Sequence, residues 1–216
     1  MGFGMEKTLI VSAPDNPGDD MQVRIQSFGN RLKDTNWFQS ISVSSAVPGK
    51  GYNYGTVCRK AGSPEDENFE IKVTYIDTAF IDHYKIKLSA GNTFRNAPDP
   101  LSPKIMINEA AAGLLGFNTA GEAIGQKIEL GSMELQEVVG VIEDYHHASL
   151  HSVIEPAAFL YTETGNSFSI KYDAEQESDV LAYVESLYNE FFPLNAFEYV
   201  FLDQLFADNY MEDKRF

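Results

Sequence analysis

The chain has 216 residues and a mass of 24.1 kDa, and its 44% hydrophobic content suffices for a packed core and excludes a disordered polypeptide. Lysine and arginine total 16 against 32 aspartates and glutamates, a formal charge of −16, which excludes the basic face that nucleic-acid binding needs. No run reaches the roughly 20 apolar residues of a membrane helix, and no apolar stretch stands before the first charges as a signal peptide requires.

The chain opens on a predicted strand, Thr8 to Ala13, broken by Pro14, Pro17 and Gly18. Asp19 or Asp20 can cap a helix whose apolar face reads Met21, Ile25, Phe28 and Leu32. Trp37 to Val47, closed by Pro48-Gly49, reads as a second strand, so the opening is a strand–helix–strand unit. Residues 49–68 read as a loop, or a weak hairpin around Tyr54 to Arg59. Phe69 to Tyr75 alternates strictly and predicts a strand, and Asp77 to Tyr84 predicts one or two helical turns. Leu88 to Phe94 and Asn96 to Pro100 read as loop.

Lys104 to Asn108 is a short strand running directly into a small helix from Glu109, ended by Gly116. Lys127 to Leu130 and Glu134 to Ile142 are further strands, joined by Gly131-Ser132 as in a hairpin. Ala157 to Thr162 and Phe168 to Tyr172 are strands around Thr164-Gly165-Asn166. Glu177 to Phe191 is an amphipathic helix stopped by Pro193, then Phe197 to Phe201 is a strand and Leu202 to Tyr210 a helix. The closing strand–helix–strand mirrors the opening one. Acids are concentrated here, with 13 against 3 bases from His151 to Phe216. A strand that starts so early and a helix still running at Lys214-Arg215-Phe216 suggest a piece of a longer chain.

Candidate chemistry is sparse. The lone cysteine, Cys58, excludes an internal disulfide and reads as a small half-buried residue. His147 and His151 have the i, i+4 spacing of a zinc pair, with Glu143 or Asp144 as an oxygen ligand. Ala148 stands where a zinc peptidase needs its glutamate base, so a histidine-rich turn is the better reading. Ser149 and His151 lie in one loop without a positioned third group, and the glycines of Ala120 to Lys127 do not follow a strand as a phosphate loop requires. The aromatics fall mostly on core positions, although Phe191-Phe192 and Tyr199 to Phe206 are dense enough to form a partner face. We expect no enzyme, no cofactor and no metal.

A resemblance emerges from Phe69 to Tyr161. Val73 to Phe80 is similar to a "V-x-x-x-Y-F" strand-to-helix step, and Lys85 to Phe94 to a hydrophobic segment ending "(A)GR-x-F", with Asn92 where arginine is usual. Ile105 to Ala111 matches "V-V-I-N-E-A-x-A", and Ala123 to Ile128 matches "P-I-G-K-x-I" without its proline. Val138 to His151 matches "V-V-G-V-V-x-D-F-H-x-x-S-L-H". Five motifs in this order resemble the MacB-like periplasmic core domains, the extracytoplasmic parts of FtsX-type ABC transporter permeases.

The resemblance implies an α+β fold of two lobes. A βαβ-repeat, porter-like lobe would take residues 1–84 and 156–216, and a smaller strand-rich lobe, 85–155, would be inserted between them. Phe201-Leu202-Asp203 and Asp213 to Phe216 resemble the family's run into its next transmembrane helix. The implied setting is a periplasmic domain of an inner-membrane protein that passes ATP-driven motion outward without catalysis. The implied partners are an ATP-binding subunit or domain, a second copy of the parent permease, and a periplasmic protein or lipoprotein. The structural motif residues would be Asn108, Glu109, Gly125, Gly140, Asp144, His146, Ser149 and His151, the stretch from Asp144 to His151 forming a hinge that touches both lobes. The rival reading is a module holding a peptide, lipid or lipoprotein between the lobes; a metal-dependent hydrolase, needing three converging ligands, is the third.

Overall fold

The structure, a computed structural model, describes residues 7–14, 19–52, 54–96, 103–145, 147 and 153–213. The first half contains β1 (Thr8–Ser12), α1 (Asp19–Lys33), β2 (Ser40–Ser44), β3 (Tyr54–Lys60), β4 (Phe69–Ile76), α2 (Phe80–His83) and β5 (Leu88–Gly91). The second contains β6 (Lys104–Asn108), α3 (Glu109–Leu114), α4 (Ala120–Ala123), β7 (Lys127–Leu130), β8 (Gln136–Ile142), β9 (Ala157–Tyr161), β10 (Ser167–Lys171), α5 (Glu177–Phe191), β11 (Glu198–Phe201) and α6 (Leu202–Asp213). The class is α+β with a mixed sheet, as expected.

The two mirrored strand–helix–strand units interleave. β10 lies between β1 and β2, antiparallel to both, and β1 lies between β10 and β11, so the local order is β11-β1-β10-β2. Each crossover helix skips one strand, and the other unit fills that gap, which is the split βαβ arrangement. Leu9, Val11, Phe168 and Ile170 alternate onto one sheet face and are covered by Phe28 of α1 and Val184 of α5. Phe28 sits edge-on to Phe168 with ring centroids 5.0 Å apart.

The opposite face of β2 and β10 is polar in sequence and buried in the structure. Ser42, Ser169 and Lys171 find partners around α2 in place of water, while the buried Ser44 hydroxyl has none among the described residues. The Ser42 hydroxyl donates to Asp77 at 2.9 Å, Ser169 and the Tyr84 hydroxyl share a 2.6 Å bond, and Lys171 donates to the His83 carbonyl at 2.7 Å. Most buried polar groups are bonded in this way, because an unpaired one costs its full desolvation.

The rest of the sheet closes on itself. β4 pairs with β3, β3 with β7, β7 with β8, β8 with β6, β6 with β9, and β9 returns to β4. This six-stranded ring leaves no free edge among its members and is narrow enough for side chains to fill it. Ile71, Val73, Ile105, Ile128, Val141 and Leu160 share its interior cluster, and Ala111 and Leu115 pack onto the same cluster from around α3. β6, β7 and β8 come from the segment 85–155, while β3, β4 and β9 flank it. A third core joins ring and split sheet: Ile10, Ile76, Tyr84, Met106, Phe159 and Leu202 belong to one buried cluster. Burying each such side chain contributes roughly 1.5–3 kcal/mol, so the two parts resist separation.

Several element readings change. Residues 54–60, read as loop or weak hairpin, are a full strand paired on both sides. Residues 88–91, also read as loop, form β5 beside β8. The predicted strand from Trp37 shortens to β2. Gly131-Ser132 does not make a two-residue hairpin, because Ile128 faces Gln136 and the connection is longer. Each strand of that connection is held from its other side, β7 by β3 and β8 by β6, so the turn need not set the register.

Candidate functional site

The motif residues meet where β6 runs into α3. Asn108 is 2% exposed and extended in backbone, with φ −88° and ψ 170°. Its Oδ1 accepts the Ala111 N–H at 3.0 Å, capping the helix. The same oxygen accepts the Ala157 N–H at 2.8 Å, and Nδ2 donates to the Glu155 carbonyl at 3.0 Å. One side chain therefore ends a strand, starts a helix and pins the entry to β9.

Glu109 reaches sideways. Its Oε1 accepts from the Ser89 hydroxyl at 2.6 Å and its Oε2 from the Asp144 N–H at 3.3 Å. Asp144 answers by accepting the Ala110 N–H at 3.0 Å. Partial burial raises the Asp144 carboxyl above its ordinary value, the Ala110 bond opposes that, and the nearby Glu109 charge adds to it. The β6–α3 step and the end of β8 are thus cross-linked by two reciprocal bonds.

The glycines serve this crossing. At Gly140 a Cβ would lie 2.3 Å from the Asn92 carbonyl oxygen, so β5 and β8 approach more closely than any side chain allows. Gly125 takes φ +77°, a left-handed conformation, while its N–H donates to Val138 O at 2.8 Å.

Beyond Asp144 the chain turns toward the split sheet. The His147 carbonyl accepts N–H groups from Gly49 at 2.7 Å and Gly51 at 3.3 Å. Its ring stacks on Tyr52, centroids 4.1 Å apart, and its Nδ1 meets the Tyr145 hydroxyl at 2.8 Å. The predicted motif residues His146, Ser149 and His151 lie outside the described residues. The zinc-pair reading falls partly there too; His147 is not on a helix, and among the described residues no three His, Cys, Asp or Glu side chains converge on a metal position.

Burial lowers the His147 imidazole to about 3, with an interaction between the ring and the Gly51 backbone acting in the other direction. The unfolded chain takes up this proton below pH 6.5, while the folded chain stays neutral to about pH 3. The stabilisation is therefore complete above pH 6.5 and is lost as pH falls, by about 2 kcal/mol between pH 6.5 and 5. Urea unfolding at both pH values should show this loss in the wild type and not in His147→Gln. An equal loss in both would remove His147 as its source.

Other reactive groups are sequestered. Cys58, placed half-buried by the sequence, is 1% exposed and packs into the ring interior, where burial pushes its thiol up to about 11. An aromatic disulfide reagent at pH 8 should leave it untouched in the folded protein and titrate one thiol in denaturant; rapid reaction before unfolding would contradict the burial. Ser40 Oγ and His83 Nδ1 are 2.7 Å apart, a pair hidden from sequence reading by their separation of 43 positions. His83, the last residue of α2, is 2% exposed, and neither residue lines the cavities of about 630 and 520 Å³ described below.

A cavity of about 630 Å³ is lined mainly by polar groups, including Ser12, Lys50, Asn166, Asn195 and Glu198. All its lining residues lie outside 85–155. A second, of about 520 Å³, lies over β3 and β4 with Glu155 at its rim.

Residues 1–187 match the family described as the MacB-like periplasmic core domain. The periplasmic region of MacB from Actinobacillus actinomycetemcomitans is similar in fold, with a TM-score of 0.67 at 14% identity, covering 98% of this chain and 94% of that one. The extracellular domain of the noncanonic ABC-type transporter YknZ from Gram-positive bacteria gives a TM-score of 0.61 at 16% identity, covering 90% of this chain and 98% of that one. No curated protein matches the chain.

Proposed function

The chain belongs to the MacB-like periplasmic core domain family, a part of transporter permeases outside the cytoplasm, and from this we propose that it transmits ATP-driven motion of membrane helices to the periplasmic side without catalysis. The carrying observation is the core that ring and split sheet share, with Ile10, Tyr84, Met106 and Leu202 in one cluster. A transmitting body must be stiff, because close-packed interiors pass strain on while loose ones absorb it. The partners in this reading are an ATP-binding subunit or domain, a second copy of the permease, and a periplasmic protein or lipoprotein.

The two-lobed division belongs to the same proposal. Residues 1–84 and 156–216 carry the split sheet and 85–155 the insertion, with the ring drawing staves from across both boundaries. The binding-module reading has less support. The cavity of about 630 Å³ is polar and takes no residue from the insertion, whereas a ligand held between lobes needs an apolar cleft lined by both.

The setting is tested in spheroplasts expressing the complete gene with Leu194→Cys, a position 97% exposed. A membrane-impermeant maleimide should label that cysteine in intact spheroplasts, and the ATP-binding subunit should co-purify with the labelled protein. Labelling only after permeabilisation would place the domain in the cytoplasm and end the reading.

A further inference from the structure

We propose that the turn of residues 47–52 is a joint coupling α6 to the Asn108–Asp144 junction of the ring, so that a displacement of α6 is felt at α3. This deepens the transmission reading and rests on it for its biological meaning, though the coupling itself is a property of the chain alone.

Gly49 is held at both of its polar atoms by different parts of the molecule. Its carbonyl accepts from Asn209 Nδ2 of α6 at 2.7 Å, across 160 residues of sequence. Its N–H donates to the His147 carbonyl at 2.7 Å. The residue must be glycine on two counts. Its φ is +95°, and a Cβ would lie 2.9 Å from Leu205 and 3.0 Å from Phe206, both on α6. Helix and turn therefore touch backbone to side chain with no spacer.

The path continues without a gap. Gly51 gives His147 a second N–H, and Tyr52 stacks on its ring. Tyr145 is bonded to the same ring and lies buried in the core that joins ring and split sheet. One residue earlier, Asp144 exchanges bonds with Glu109 and Ala110 at the start of α3. Beside the turn, Ala46 and Lys50 line the cavity of about 630 Å³, so the turn is clamped by α6 and the His147 stretch and has room at that cavity. Directional bonds on one side and space on another let a shift of α6 carry the turn with it.

Spatial continuity alone does not establish coupling, so the test measures it and its reciprocity. Asn209→Leu in the 216-residue chain removes the α6 donor from a partly exposed helix position without changing the core. Amide hydrogen exchange is then read at Gly49, Ala110 and Asp144, with Leu9 and Ile170 of the split sheet as references. We expect exchange to rise about tenfold at Gly49 and measurably at Ala110 and Asp144, with the references unchanged. Reciprocally, His147→Gln should speed exchange in the last turns of α6. A rise confined to α6 and Gly49, or one shared equally by Leu9 and Ile170, overturns the joint. That failure would leave the spheroplast result standing, and failure of the labelling would leave the exchange result standing.

Discussion

Replacing Gly140 by alanine should lower the unfolding free energy by about 3 kcal/mol or more, the largest loss expected from any single methyl addition in the ring. β8 faces β5 with Gly91 opposite Gly140, and an added Cβ would sit 2.3 Å from the Asn92 carbonyl oxygen. That oxygen is main chain, so no side-chain rotation relieves the overlap. β5 cannot withdraw freely either, because the Asn92 N–H donates to Val139 O at 2.8 Å and Gly91, at φ +78°, has its own Cβ position filled by that same carbonyl. The strain would spread to Met106, whose methyl lies 3.3 Å from the new carbon. Urea unfolding measures the loss. Gly113→Ala is the matched control: it lies in α3 with nothing within 4 Å of a Cβ, and should be neutral or stabilising by up to about 1 kcal/mol. Equal behaviour of the two variants would mean that the β5–β8 crossing opens easily.

Asn108→Ala should cost about 3 kcal/mol. Loss of the cap accounts for about 1 kcal/mol. The remainder comes from the Ala157 N–H and the Glu155 carbonyl, which lose their buried partner at the entry to β9. Both groups sit where β9 joins β4 and β6 to close the ring, so the damage should localise there before the fold fails. Denaturation gives the total, and faster exchange of the Ala157 amide than of Ile170 gives the location. A loss under about 1 kcal/mol would show that water takes the place of the side chain.

The junction was legible because its signals are local. A strand ending in Asn108 followed by Glu109 and alanines reads as a capped helix start, whereas the bonds from Glu109 and Ala110 to Asp144 cross between motifs and are seen only in the structure. Closure of the ring was not legible. β3 contributes the small Cys58 and exposes Val57, so its sequence carries no clear alternation, and its partners lie at Val73 and Leu130. The serines of β2 and β10 mislead in the other direction. Ser42 and Ser169 are polar in sequence yet buried, and the residues flanking α2, Asp77 and Tyr84, supply their partners. Gly91 reads as part of a loop motif, while its conformation serves the crossing with β8. Long-range pairing decides each of these cases, and a single sequence does not display it.

The most direct test of the stiff-body claim is a pair of spin-label distances in the full-length permease with its ATP-binding partner. Labels at Leu194→Cys and Val57→Cys, both exposed, report the distance from split sheet to ring within one domain, and a single label reports the distance between two copies. On ATP binding the distance between copies should change while the distance within the domain stays within about 2 Å. A domain that changes its internal distance while the copies keep theirs would contradict transmission by a rigid body.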